Sequence, residues 1–143
     1  MKAKYAFALV VCALTAAAVV QAAGPSVFTA NIPFEFTAAN KMLPAGQYEI
    51  SANPYSGHLI IRNPAAGVAV ITPVRKEQAS SNEKAGNVLL VFHRYGNEYF
   101  FSQLLSGADN ETYVAPFSPA ESRLARTGFP PITDFVAALR ISR

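Results

Sequence analysis

Between Phe28 and Phe36 apolar and polar residues alternate without a break. Phe28, Ala30, Ile32, Phe34 and Phe36 fall on one side, and Thr29, Asn31, Pro33 and Glu35 on the other. Period two is the geometry of a strand with one buried face. Pro33 has no amide hydrogen, which predicts an edge strand or a bulge there. The pattern then repeats in short pieces. Gln47–Ser51 turns Tyr48 and Ile50 inward, His58–Arg62 is a short apolar strand, and Val68–Val74 returns antiparallel to it. Turn sequences separate them: Asn40–Gly46, Asn53–Gly57 and Asn63–Gly67 each contain Pro and Gly. The polar stretch Arg75–Asn87 mixes both signs of charge and reads as a long surface loop.

Val88–Leu105 reads as the central hairpin. Gly96-Asn97 is a two-residue turn signal. With Tyr95 and Glu98 flanking it, Arg94 should face Tyr99, His93 should face Phe100, Phe92 should face Phe101, and Val91 should face Ser102. One face would then hold Val88, Leu90, Phe92, Phe101 and Leu105, and the other Leu89, Val91, Phe100 and Leu104. Both faces are apolar, so the hairpin should be covered on both sides.

Ser118-Pro119-Ala120-Glu121 has the form of a capping box, with Pro at the first helical position. A short helix through Arg126, ended by Gly128, is expected. Beyond Pro130-Pro131, Thr133 or Asp134 can cap a second helix through Ile141, with Phe135 and Leu139 on one stripe that packs on the sheet or docks on a partner. The chain therefore reads as mainly β: a small antiparallel sandwich or open barrel of about six or seven strands with one or two short C-terminal helices. Strands this short, with no clear aromatic girdles, argue against an outer-membrane barrel.

The N-terminus reads as an address. Lys2 and Lys4 precede an apolar run from Tyr5 to Val20, and Val20-Gln21-Ala22 offers a cleavage site. The organisation is a signal peptide over 1–22, a β domain over 23–128 and a helical tail over 129–143. An uncleaved anchor is the alternative, although the Ala-rich run is slightly short for a span. A lipoprotein lipidated at Cys12 is disfavoured by Val11, where a small residue should stand. Cleavage removes Lys2, Lys4 and the single cysteine. The mature chain is then nearly neutral, so no nucleic-acid or anionic-lipid partner is implied. It has no disulfide and no thiolate nucleophile, and about 120 residues must hold themselves by their core alone. No stable membrane span remains, and the protein is expected in the periplasm or outside the cell.

Chemistry is sparsely marked. His58 and His93 lack metal-site spacing, so no metal or other cofactor is expected. His93 can in principle act as a base, but nothing in the sequence selects a partner serine or acid. No pair of carboxylates stands out. Asp109-Asn110-Glu111 lacks the spacing of a calcium loop and reads as a solvated turn. The candidate binding residues are Tyr95, Tyr99, Arg94, His93 and Tyr55: tyrosines near loops can stack on a sugar or meet a partner, or simply cap the core with wet hydroxyls. Arg94 over Tyr99 reads as a cation–π contact that stiffens the hairpin.

Two segments carry a resemblance: Asn31-Ile32-Pro33-Phe34-Glu35-Phe36 followed by Leu43-Pro44-Ala45-Gly46-Gln47-Tyr48, and the run Leu90-Val91-Phe92-His93-Arg94-Tyr95-Gly96-Asn97-Glu98-Tyr99-Phe100-Phe101-Ser102-Gln103. Over residues 25–126 the chain is similar to a family of small uncharacterised exported proteins of soil bacteria. The tail after Gly128 departs from that pattern. The resemblance implies export and a shared fold, and supplies no catalytic residues. The functional expectation is an exported, non-enzymatic β domain that binds or supports an envelope or extracellular protein. The alternative is a carbohydrate-binding module that uses exposed tyrosines.

Overall fold

The structure is a computed structural model that describes residues 24–79, 86–107 and 109–141. The signal segment lies outside the described residues. Among them are eleven strands and one helix, so the mainly β expectation holds with a higher strand count than six or seven.

The strands are β1 (Ser26–Ile32), β2 (Phe36–Ala38), β3 (Lys41–Leu43), β4 (Gly46–Asn53), β5 (His58–Asn63), β6 (Val68–Pro73), β7 (Arg75–Gln78), β8 (Val88–Tyr95), β9 (Glu98–Ser106), β10 (Glu111–Val114) and β11 (Ile132–Ile141). The helix, α1, spans Pro119–Ala125 between β10 and β11. Antiparallel pairing runs β1–β4–β5–β6 and, on the other flank, β1–β11–β8–β9–β10–β7. Only Val74 separates β6 from β7. The run 68–78 therefore pairs with β5 along its first half and with β10 along its second, and the sheet meets itself as a nearly closed barrel. One parallel bridge, Thr37 to Phe100, adds the β2–β3 hairpin to β9.

The inward residues form one core. Phe28, Tyr48, Ile50, Leu59, Ile61, Leu90, Phe92 and Leu104 are fully or almost fully buried. Phe92 is the hub of an aromatic cluster: Phe34, Phe36 and Phe101 meet its ring edge-to-face at 5.0, 5.3 and 5.9 Å. These are the geometries that the ring quadrupole favours. Tyr48 is wholly buried, and its hydroxyl donates to the Pro44 carbonyl at 2.5 Å. Burial pushes this phenol up, partly offset by its hydrogen bond with Asn63. At Gly46 (φ +153°) an added Cβ would lie 2.8 Å from the Asn63 amide nitrogen, so this turn passes too close to Asn63 for a side chain.

Four sequence expectations change. The second C-terminal helix does not form: residues 132–141 are β11, inserted between β1 and β8, so the segment 129–143 belongs largely to the β domain. Phe135 and Leu139 are four apart, a spacing that fits a helical stripe and one face of a strand equally well. Two open strand edges, whose amides and carbonyls need partners, decide between them. β1 is not an edge strand, because it ends at Ile32 and leaves Pro33 just outside the ladder. The start of the supposed surface loop is β7.

The fourth change lies in the hairpin. Arg94–Tyr99, His93–Phe100 and Phe92–Phe101 pair as expected, but Val91 faces Gln103. Ser102 is the extra residue of a β-bulge. Past it every side chain changes face. Leu104 joins Leu90 inside, and Leu105 joins Leu89 outside.

No helix among the described residues is long and apolar enough to cross a membrane. Because β11 supplies pairing on both flanks, deleting residues 129–143 should abolish the cooperative thermal transition followed by circular dichroism rather than shift it by a few degrees.

Candidate functional site

The bulge at Ser102 and helix α1 meet on the outer wall of the barrel. Ser118 is the N-cap of α1, with β-region dihedrals, and its Oγ accepts the Glu121 amide hydrogen at 3.1 Å. That is half of the expected capping box. The Glu121 carboxylate does not complete it but turns to the sheet, where it is 2% exposed. Its Oε1 lies 2.7 Å from His93 Nδ1 and accepts the Tyr95 hydroxyl at 3.2 Å. His93 Nε2 lies 3.3 Å from Ser102 Oγ. The network assigns the proton to Nδ1, which donates to Glu121, while Nε2 accepts from Ser102. Phe117 packs edge-on to the His93 ring at 5.6 Å.

A seven-residue helix has little stability of its own, and this polar chain pins it to the barrel. Each buried polar group in it has a partner, which keeps the cost of burial low. Tyr95 is held in its phenol form. Burial raises its pKa, and the Glu121 charge and hydrogen bond add to this.

Beside the chain lies a small cavity of about 110 Å³, whose wall includes Thr37, Asn40, Phe100, Phe117, Pro119 and Glu121. His93 and Ser102 are not part of that wall. Ser102 is itself 4% exposed.

The five expected binding residues do not form one site. His93 and Tyr95 converge on Glu121 at the outer wall. Arg94 and Tyr99 face the other way. Arg94 donates to Asp134 at 3.0 Å and lies over the Tyr99 ring at 5.9 Å, and Tyr99 stacks on Phe34 at 3.8 Å. The cation–π pair expected from the sequence is therefore present. Tyr55 stands alone and exposed in the turn between β4 and β5.

The acidic turn is also spoken for. Asp109 takes the Ser106 hydroxyl and pairs with Arg140, and Glu111 pairs with Lys76 and Tyr113. Burial pushes the Glu111 carboxyl up, but the hydrogen bonds from Lys76 and Tyr113 and the Lys76 charge outweigh it, and the net shift is downward. Among the described residues no three His, Cys, Asp or Glu side chains converge as metal ligands.

Sequence reasoning missed Ser102 and Glu121 as partners of His93. They lie 9 and 28 residues away along the chain, and the only available signal was a serine in an apolar strand and a glutamate in a cap. No protein-family model, curated protein or solved structure matches the chain.

Glu121→Ala would leave the His93 and Tyr95 donors without their shared acceptor, and should cost about 2–4 kcal/mol in urea unfolding. Ser102→Ala removes one neutral hydrogen bond and should cost about 1 kcal/mol.

Proposed function

We propose that this chain is an exported, non-enzymatic β-barrel domain that binds another protein of the cell envelope or extracellular space. The observation that carries the reading is an apolar stripe on the outside of the wall. Ile71 lies opposite Ile60, and the same cross-strand row continues through Ser51 and Val27 to Ile141. Ile71 is 61% exposed and Ile60 42%. In the neighbouring row Leu139, 72% exposed, lies opposite Thr29, and Phe135 follows on the same face of β11.

Large aliphatic side chains standing together on the water side of a sheet favour a protein partner. The Arg62–Glu49 ion pair, in the row that ends at Leu139, supplies a polar margin of the kind seen at interface rims. Sugar recognition would use flat aromatic faces. Of the tyrosines proposed for that purpose only Tyr55 is exposed, so the glycan alternative has the weaker support.

The test is in-cell crosslinking of the full chain with its own leader, comparing wild type with the Ile71→Ser/Leu139→Ser double variant. The recovered protein should begin at Ala23. The double variant should lose a recurrent crosslinked partner while its melting temperature changes by no more than about 3 °C. Undiminished crosslinking would remove this surface from the reading.

A second reading is favoured by one observation, the Ser102–His93–Glu121 chain. It has the order and the hydrogen bonds of a nucleophile, base and orienting acid. A hydrolase would need its serine hydroxyl open to substrate, and Ser102 is covered. The expected result is that a fluorophosphonate probe does not label the folded protein. Labelling at Ser102 that disappears in His93→Ala would replace the binding reading with an enzymatic one.

A further inference from the structure

Glu121 has a second oxygen that the polar chain does not use. Both His93 and Tyr95 meet Oε1. Among the described residues no side-chain nitrogen or oxygen is sealed in without a partner. Glu121 is also part of the wall of the 110 Å³ cavity. Glu121 thus borders the cavity with one carboxylate oxygen outside the polar chain.

The rest of the wall carries no charged side chain, and Thr37, Asn40, Thr72 and Ser118 are its neutral polar residues. Phe100 and Phe117 stand in it with Ala115, Pro116 and Pro119, while the ring of Phe101 turns to Phe92 in the core. No Lys, Arg or His lines it. A carboxylate with one oxygen outside that chain, largely withdrawn from water, attracts positive charge more strongly than it would in bulk water. Aromatic rings add to that attraction through their negative faces. The volume suits the head of a small organic cation and is well below the several hundred Å³ of typical cofactor or drug pockets.

We propose that this cavity binds a small organic ammonium ion, its positive head held between Glu121 and the rings of Phe100 and Phe117. The site goes beyond the protein-binding surface and is independent of it. Phe117, 51% exposed, forms part of the wall and also touches His93. A cation here would pair with the carboxylate oxygen outside the polar chain and hold the Pro116–Glu121 segment more firmly on the barrel.

The experiment is an amide NMR titration of the mature protein with choline and, in parallel, with its neutral isostere 3,3-dimethyl-1-butanol. Choline should give saturable shifts confined to residues 37–40 and 115–121, with the isostere roughly tenfold weaker or more. Phe117→Ala should weaken choline by roughly threefold or more with the rest of the spectrum unchanged, and Glu121→Gln should weaken it further. If Glu121→Gln does not fold, the choline–isostere comparison and Phe117→Ala still decide. Absence of saturable shifts overturns the proposal. Equal affinity for choline and isostere also overturns it, because the cavity would then be merely apolar.

Discussion

The barrel has a wall only because its last strand enters between its first strand and the central hairpin. Without β11, β1 and β8 would each present a row of unpaired amides and carbonyls. With it, Phe28, Leu90 and Ala138 come together in one core. The residues that close this interface are more than a hundred positions apart: Arg140 pairs with Phe28, and its guanidinium lies over the Phe28 ring at 5.4 Å. Loop closure over that distance is entropically costly and is repaid only when both flanks of β11 pair at once. The fold is therefore completed by its C-terminus.

A single extra residue governs the other side of the wall. The bulge at Ser102 changes the facing of everything beyond it, so Leu104 points into the barrel and Leu105, itself buried, to the opposite side of the wall. The same bulge brings a hydroxyl to His93 and through it connects β9, β8 and α1. A helix of seven residues persists because a buried carboxylate, a phenol and an imidazole satisfy one another. That arrangement has the connectivity of a catalytic relay and the burial of a structural clasp. Glu121 also borders the small cavity, and the outer face of β5, β6 and β11 carries the exposed side chains of Ile60, Ile71, Phe135 and Leu139.

The residues singled out by their chemistry turned out to serve both sides of one hairpin. Alternation sends His93 and Tyr95 outward and Arg94 and Tyr99 toward the aromatic cluster of Phe34 and Phe92. Adjacent positions in a strand cannot share a site on one face. The segment with the densest functional-looking sequence is thus divided between core support and the clasp on α1.

The sequence by itself determined the local grammar of the fold. Alternation through Phe28, Ala30 and Ile32 marks β1. Gly96-Asn97 sets the hairpin register as far as Phe92. Ser118-Pro119 starts α1. Each of these depends on neighbours within a few residues, so the chain states them directly. Tertiary structure alone decided the rest. The spacing of Phe135 and Leu139 suits helix and strand alike, and two waiting strand edges resolved it. The bulge at Ser102 has no local marker, because an apolar run reads the same in either register. Glu121 could be recognised as a cap but not as the acceptor for His93 and Tyr95, because that contact exists only once the helix has folded back onto the wall.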